Sequence, residues 1–433
     1  MAATVILGGG LTGLVAAERL SAAGCPAVVF EREQEAGGAC RTIEREGFAF
    51  DLTGHLLHVA QPETEVYLRG LGVWDELEVH RRRAAVVVGG HQTPYPIQIH
   101  TAALAPEVRR DCLLGFIRAW AKGERDGGEP ADFGSWVRER FGDGFARHFF
   151  VPYNEKLYRA RAEELSLDWV GRYVPQPTLE EVVDGAFGLH DRPAGYNATF
   201  RYPRRGGIRA LPDAVARLVP RLHLGSRVAA LHLGERWVET ADARRHPFDR
   251  LVSTVALPGL IDAIVDELPG EVAAARSALR WVRVLNVAFG VDGAPPSPEH
   301  WLYFPDRELP FYRVGFPSNH GRLAPAGCHT VSVEVSLDPV GALVAEEAVA
   351  AERAVAALGL LDPARVRVRI TTVIDPAYVV FDHHRRQAVA TLRGFLGERG
   401  VLLAGRWAEW KYSAMEDAIL DGMAVARRLA GDT

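Results

Sequence analysis

Apolar residues fall in short unbroken runs at both ends of this 433-residue chain and in alternating runs through its middle. Thr4 to Leu7 is a short apolar run of the kind required by a strand covered on both faces. A glycine cluster follows, then Leu14 to Ala23 with helical spacing and small residues on one face, and then Gly24 as a stop. Ala27 to Phe30 reads as a second strand, so the opening predicts a βαβ unit. From Pro106 to Leu167 the spacing is helical and rich in aromatics, with a charged, glycine-rich loop from Lys122 to Pro130. Arg227 to Leu233, Trp237 to Thr240 and Leu251 to Ala256 read as strands that rejoin the first sheet. Val282 to Val291, Trp301 to Phe304, Tyr312 to Phe316 and Thr330 to Leu337 alternate, which predicts an antiparallel sheet. Gly341 to Leu360 predicts a long helix, Val401 to Ala404 a strand, and Ala418 to Leu429 a closing helix.

Composition narrows the function classes. The chain is 48% hydrophobic and 24% charged, as ordinary globular domains are. A net charge of -5 gives no overall basic field for nucleic acid. No apolar run reaches the ~18 residues of a membrane span. Met1 to Leu7 has no basic stretch and reads as a strand rather than a targeting leader. Cys25, Cys40, Cys112 and Cys328 lack metal-type spacing, and His383-His384 has no matching partners, so no metal is expected. These features fit a cytoplasmic protein, monomer or homodimer, that acts on a small molecule. Among the 50 basic residues only Lys122, Lys156 and Lys411 are lysine.

The chemistry starts at Gly8-Gly9-Gly10-Leu11-Thr12-Gly13, a G-x-G-x-x-G placed between the first strand and helix. Gly8 makes the tight turn, Gly10 lets backbone amides approach a pyrophosphate, and Gly13 lets helix and strand touch. The helix start, at Leu11 and Thr12, stabilises the negative charge. Glu31 lies 18 residues beyond Gly13, close to the ~20 expected of a ribose-binding acid. Arg32 and a second segment, Gly37-Gly38-Ala39-Cys40-Arg41, follow it. That arrangement resembles the flavoprotein superfamily of amine oxidases, protoporphyrinogen oxidases, desaturases and nucleotide-sugar mutases, and implies FAD. Phe50-Asp51-Leu52-Thr53-Gly54-His55 resembles the superfamily's next block, beside the flavin. Gly405-Arg406 and Met415-Glu416, leading into the last helix, resemble its closing block, and Val228 on the return strand completes the cofactor set. The expected class is therefore α/β: a Rossmann-type FAD-binding domain, an interleaved antiparallel-sheet substrate domain and an inserted helical subdomain. The expected segments are 1–90 (FAD), 91–180 (helical insertion), 181–260 (FAD-domain return), 261–385 (substrate sheet) and 386–433 (FAD).

Mid-chain blocks carry a narrower resemblance. They are Pro94-Tyr95-Pro96-Ile97-Gln98, Pro152-Tyr153-Asn154-Glu155-Lys156-Leu157-Tyr158, Val170-Gly171-Arg172-Tyr173, Asn197-Ala198-Thr199-Phe200, Trp301-Leu302-Tyr303-Phe304 and Phe311-Tyr312-Arg313. With Tyr412-Ser413-Ala414-Met415-Glu416 they resemble, in order, the UDP-galactopyranose mutase family. The resemblance implies interconversion of pyranose and furanose forms of a nucleotide sugar, with reduced FAD N5 as nucleophile at the anomeric carbon and NADH or NADPH as a reductant. It implies Arg172 and Arg313 as the diphosphate pair, with Tyr303, Tyr378 and Tyr412 as further phosphate donors. It implies Tyr95 stacking on uracil with Gln98 hydrogen-bonding to it. Asn154, Tyr158 and Asn197 would lie near the sugar or nucleotide, His55 on a loop beside the flavin, and Arg406 near it. The pattern departs at Thr53, where the family has glycine, at Tyr158, where tryptophan is common, and at Glu416-Asp417. The alternative is an FAD-dependent oxidase or desaturase of the amine oxidase or protoporphyrinogen oxidase type.

Overall fold

The computed structural model describes residues 4–123, 130–171, 174–189, 198–341 and 343–431. The site candidates Arg172 and Asn197 lie outside these residues, as does most of the loop expected from Lys122 to Pro130.

Five parallel strands form the first layer, in the spatial order Val401–Leu403, Arg250–Ser253, Thr4–Leu7, Ala27–Phe30 and Leu222–His223. Thr4–Leu7 is central and all four residues are buried, which is why its sequence shows no alternation. The helices Leu11–Ala22 and Met415–Ala430 cross in close contact, and a Cβ on Gly422 would stand 2.7 Å from the Thr12 carbonyl oxygen. Small residues at the crossing are what permit that approach. The last helix starts at Met415, three residues before the reading from periodicity, because the Asp417 carboxylate accepts from the Ala414 amide and caps it.

The strands Val228–His232 and Trp237–Thr240 do not rejoin this sheet, contrary to the sequence expectation. They form a separate three-stranded antiparallel sheet with Arg245–Pro247. The short turn through Gly234 and Arg236 permits only an antiparallel neighbour, since parallel strands need a crossover of about a dozen residues. Of the three segments expected to rejoin the parallel sheet, Arg250–Ser253 is the one that pairs with it.

The second large layer is a seven-stranded sheet in the order Val366–Val379, Trp281–Asp292, Cys328–Leu337, Arg313–Gly315, Trp301–Tyr303, Ala84–Val88 and His91–Pro94. Pairing is antiparallel except between Trp301–Tyr303 and Ala84–Val88. Ala84–Val88, which the sequence reading put in the first FAD segment, belongs to this sheet. The long edge strand Val366–Val379 was not anticipated. Pro376 sits inside it, which an edge position tolerates because one side of the strand needs no partner.

The helical insertion comprises Pro106–Gly123, Phe133–Phe145, a π-helical turn Ala146–Phe150, Val151–Tyr158 and Leu179–Phe187. The π turn runs straight into Val151–Tyr158 and offsets its register. Phe149, Phe150, Tyr153 and Asn154 thereby all face the cleft below. The helix expected from Gly341 to Leu360 is Val344–Ala357.

Candidate active site

A cleft of about 930 Å³ runs from the glycine turn to the seven-stranded sheet. Its floor is the first βα junction. Gly8 turns the chain with φ +101°, a conformation L side chains rarely adopt, and a Cβ on Gly13 would lie 2.1 Å from the Gly8 carbonyl oxygen. The helix Leu11–Ala22 begins at Gly10 with no side-chain cap, so its first amides are left without a capping side chain among the described residues, at the edge of the cleft. That is the geometry a pyrophosphate needs. Glu31 is buried at the end of Ala27–Phe30, with Oε2 accepting from the Gly9 amide at 2.6 Å and Oε1 from Glu33 at 2.9 Å. Arg41 ties the neighbouring turn, its Nε donating to the Gly38 carbonyl at 2.9 Å. Arg32 is largely exposed beside Glu33. Leu11, Thr12, Gly54, Val228, Gly405 and Met415 also line the space.

Glu416 does not. Its carboxylate accepts from the amides of Ala60 and Gln61 at 2.9 and 2.8 Å, just before the helix Pro62–Gly70. Orphan amides at a helix start attract a carboxylate, so the side chain turns away from the cofactor end where the sequence reading had put it.

The opposite wall holds the charged centre. Arg313 and Glu334 are register partners on adjacent strands. The guanidinium meets the carboxylate through Nε at 3.0 Å and through Nη2 at 2.7 Å to each oxygen, and the Tyr312 hydroxyl donates to Glu334 as well. Glu334 is 3% exposed. Burial works most strongly, to lower the Arg313 pKa, but the Glu334 carboxylate together with Tyr378, Tyr312 and Tyr303 outweighs it and keeps the group well above the ordinary arginine value. Arg313 is therefore charged and held in place by Glu334, with its Nη1 making no protein hydrogen bond among the described residues. Glu334 escaped the sequence reading, though it is the sole carboxylate in the apolar-alternating strand Cys328–Leu337 and so demanded a cation.

Arg406 has a different setting. Its Nη1 donates to the Ser413 carbonyl at 3.1 Å and Nη2 to the Ala377 carbonyl at 3.2 Å. The guanidinium lies 4.9–5.4 Å from the rings of Trp407, Tyr412 and Tyr378. Its Nε is buried with no partner, and among the described residues it makes no ion pair. Arg406 thus stands in the cleft without a counter-charge among the described residues, and an anion is the ligand that would balance it.

Tyrosines surround both arginines. Tyr303 and Tyr378 line the cleft, and burial raises both hydroxyls above the ordinary tyrosine value, so they stand as protonated donors. Tyr412 lies beside Arg406. Tyr95 packs against Tyr303 with ring centroids 5.2 Å apart and has the Arg82 guanidinium 5.0 Å from its own. Tyr153, absent from the sequence expectation, lines the cleft and meets Tyr303 edge-on at 5.4 Å. Tyr158 is buried between Trp169 and Tyr378. Asn154 also lines the cleft, but its Nδ2 donates back to the Phe150 carbonyl at 2.8 Å. Gln98 stands behind the lining: its Nε2 donates to the Pro175 carbonyl at 3.0 Å, and its buried Oε1 has no partner among the described residues.

His55 stands at the cleft with Nδ1 3.2 Å from both the carbonyl and the hydroxyl oxygen of Thr53. Burial, with help from Arg406 and Arg313, lowers its pKa to about 4. The ring is neutral near pH 7. A carbonyl only accepts, so the bond to Thr53 O requires Nδ1–H and leaves Nε2 as an acceptor.

A family model for flavin containing amine oxidoreductases matches residues 11–351. The chain belongs to that family. Membership of that family implies FAD as the cofactor. The family includes differing chemistries. A crystal structure of reduced UDP-galactopyranose mutase matches with TM-score 0.91 and 26% identity, over 100% of this chain and 94% of that one. A putative protoporphyrinogen oxidase from Exiguobacterium sp. 255-15 matches with TM-score 0.74 at 16% identity, over 100% of this chain and 99% of that one, and shares the fold. The coproporphyrinogen III oxidase of Propionibacterium freudenreichii subsp. freudenreichii is 28% identical over 178 residues, 38% of this chain. The chain spans only 33% of that relative's length.

Proposed function

We propose that this flavoprotein is an isomerase that interconverts the pyranose and furanose forms of a nucleotide sugar, a UDP-sugar by resemblance. The observation that carries the reading is the polar, doubly cationic wall of Arg313 and Arg406, ringed by tyrosine hydroxyls, in a flavin cleft. The likeness to the mutase over the full chain supports it.

The residues present fit FAD. The uncapped start of Leu11–Ala22 would hold its pyrophosphate, Glu31 its ribose hydroxyls, and Gly405, Arg406 and Met415 the flavin end. When bound and reduced, FAD supplies a nucleophile for the anomeric carbon. NADH or NADPH would serve as the reductant. The chain's own part is to bind, orient and neutralise. Arg313, fixed by Glu334, presents Nη1 to the diphosphate, and Tyr303, Tyr378 and Tyr412 donate to the remaining oxygens. Arg406 balances charge between the cofactor and the leaving diphosphate. Arg172 and Asn197 belong to the same substrate set by resemblance. Tyr95 stacks on the base, and Asn154 and Tyr158 close the sugar end. His55 Nε2 accepts a hydrogen bond at the flavin edge while the ring stays neutral.

The family match and the coproporphyrinogen III oxidase stretch favour a second reading, an FAD-dependent oxidase. Incubating dithionite-reduced protein with UDP-galactofuranose and a panel of nucleotide sugars, followed by chromatography, separates the two. Ring interconversion without stoichiometric oxidation supports the isomerase. Peroxide production on aerobic turnover with no interconversion overturns it.

A further inference from the structure

Lys156 is one of three lysines in a chain whose other basic residues are all arginine. It projects from Val151–Tyr158, the helix that brings Tyr153, Asn154 and Tyr158 to the cleft. Its Nζ donates to three backbone carbonyls at once: Phe304 at 3.0 Å, Phe311 at 3.1 Å, and Asp306. All three belong to the loop that joins the strands Trp301–Tyr303 and Arg313–Gly315. Tyr303 ends the first of these strands and Arg313 begins the second, so the loop is what sets them side by side.

We propose that Lys156 is a positioning residue: it clasps the 304–311 loop to the helix and so fixes Tyr303 and Arg313 opposite Tyr153 and Asn154. Geometry explains the lysine. An ammonium fans three donors tetrahedrally from one nitrogen and so reaches three carbonyls lying in different directions, whereas a guanidinium holds its donors in one plane over three nitrogens. The neighbouring Glu155–Arg307 ion pair ties the same loop to the same helix. Ser336 Oγ donates to the Leu157 carbonyl at 2.7 Å, so the helix end is also anchored to the strand that carries Glu334. Lys156 is thus the central of three ties between the helix and the sheet wall. Burial lowers its pKa to about 8, so the clasp weakens as the amine loses its third donor in mildly alkaline solution.

The consequence for ligand binding rests on the nucleotide-sugar reading, so the test has an arm that does not. Lys156→Met and Lys156→Arg are compared with wild type for bound FAD, for amide hydrogen exchange over 302–315, and for UDP affinity. Both variants are expected to keep stoichiometric FAD, to exchange faster in 302–315 alone, and to bind UDP roughly 10- to 100-fold more weakly, the effect of a displacement of about 1 Å. Exchange over 302–315 unchanged from wild type in either variant overturns the proposal. Restoration of UDP affinity by arginine also overturns it, because charge alone would then suffice. If Lys156→Met does not fold, Lys156→Arg carries both arms. A wild-type protein that fails to bind UDP defeats the function reading instead and leaves the exchange arm to decide the role of Lys156.

Discussion

At the residue scale, one buried ion pair decides how the site works. Removing one partner of such a pair strands the other charge and costs about 3–5 kcal/mol. Glu334→Ala is therefore expected to lower stability by about that amount in urea unfolding, and to raise the UDP dissociation constant because Arg313 loses its support. Arg313→Ala should keep bound FAD and lose most nucleotide-sugar binding by calorimetry. Tight UDP binding in that variant would remove the assigned role. The sequence exposed Arg313, since a lone cation inside Arg313–Gly315 and its apolar flanks needs a partner, yet it could not say which carboxylate answered. That requires the register Arg313↔Glu334, which is long-range information. Glu416 shows the reverse case. Its place in a family-like block suggested the cofactor, but local electrostatics at the start of Pro62–Gly70 claimed the side chain.

At the scale of elements, the junction of Thr4–Leu7 with Leu11–Ala22 was fully legible, because its glycine spacing is a steric requirement rather than a preference. A methyl group on Gly13 has no room beside the Gly8 carbonyl. Gly13→Ala is accordingly expected to purify with little or no flavin, read as the ratio of flavin to protein absorbance. Near-stoichiometric flavin in that variant would contradict the packing argument. Elements whose identity depends on neighbours were less legible. Val366–Val379 was missed because an edge strand interrupted by Asp375-Pro376 carries no clean signal of its own. Val228–His232 was recognised as a strand and assigned to the wrong sheet, since periodicity reports exposure and not partners.

At the scale of the whole molecule, buried histidines shape the acid response. The pKa of His55 is lowered to about 4 and that of His300 to about 3, both mainly by burial, and His320 is pushed well below the ordinary value. His80, His300 and His320 pack together, with ring centroids 5.4–6.3 Å apart. In each case the unfolded chain takes up a proton first. Stability from these groups is complete above about pH 6.5 and falls as the pH drops toward 4 and 3. Asp51, raised to about 6 by burial despite donors from Thr42, Tyr202 and Ile208, titrates in the opposite sense and offsets part of the loss. The midpoint of thermal unfolding should therefore decline as pH falls below about 6.5, and less steeply in His300→Gln. A flat profile from pH 7 to 4 would show that these rings are not buried neutral. The sheet order also has a temporal consequence. Thr4–Leu7 is flanked by Arg250–Ser253, itself flanked by Val401–Leu403. As the chain leaves the ribosome, the first strand can pair early with Ala27–Phe30 but waits for its other neighbour, about 250 residues away, roughly 12–50 s at about 5–20 residues per second. Over that interval one edge of the strand that ends in the glycine turn is uncovered, which is the window for a chaperone or for early capture of the flavin.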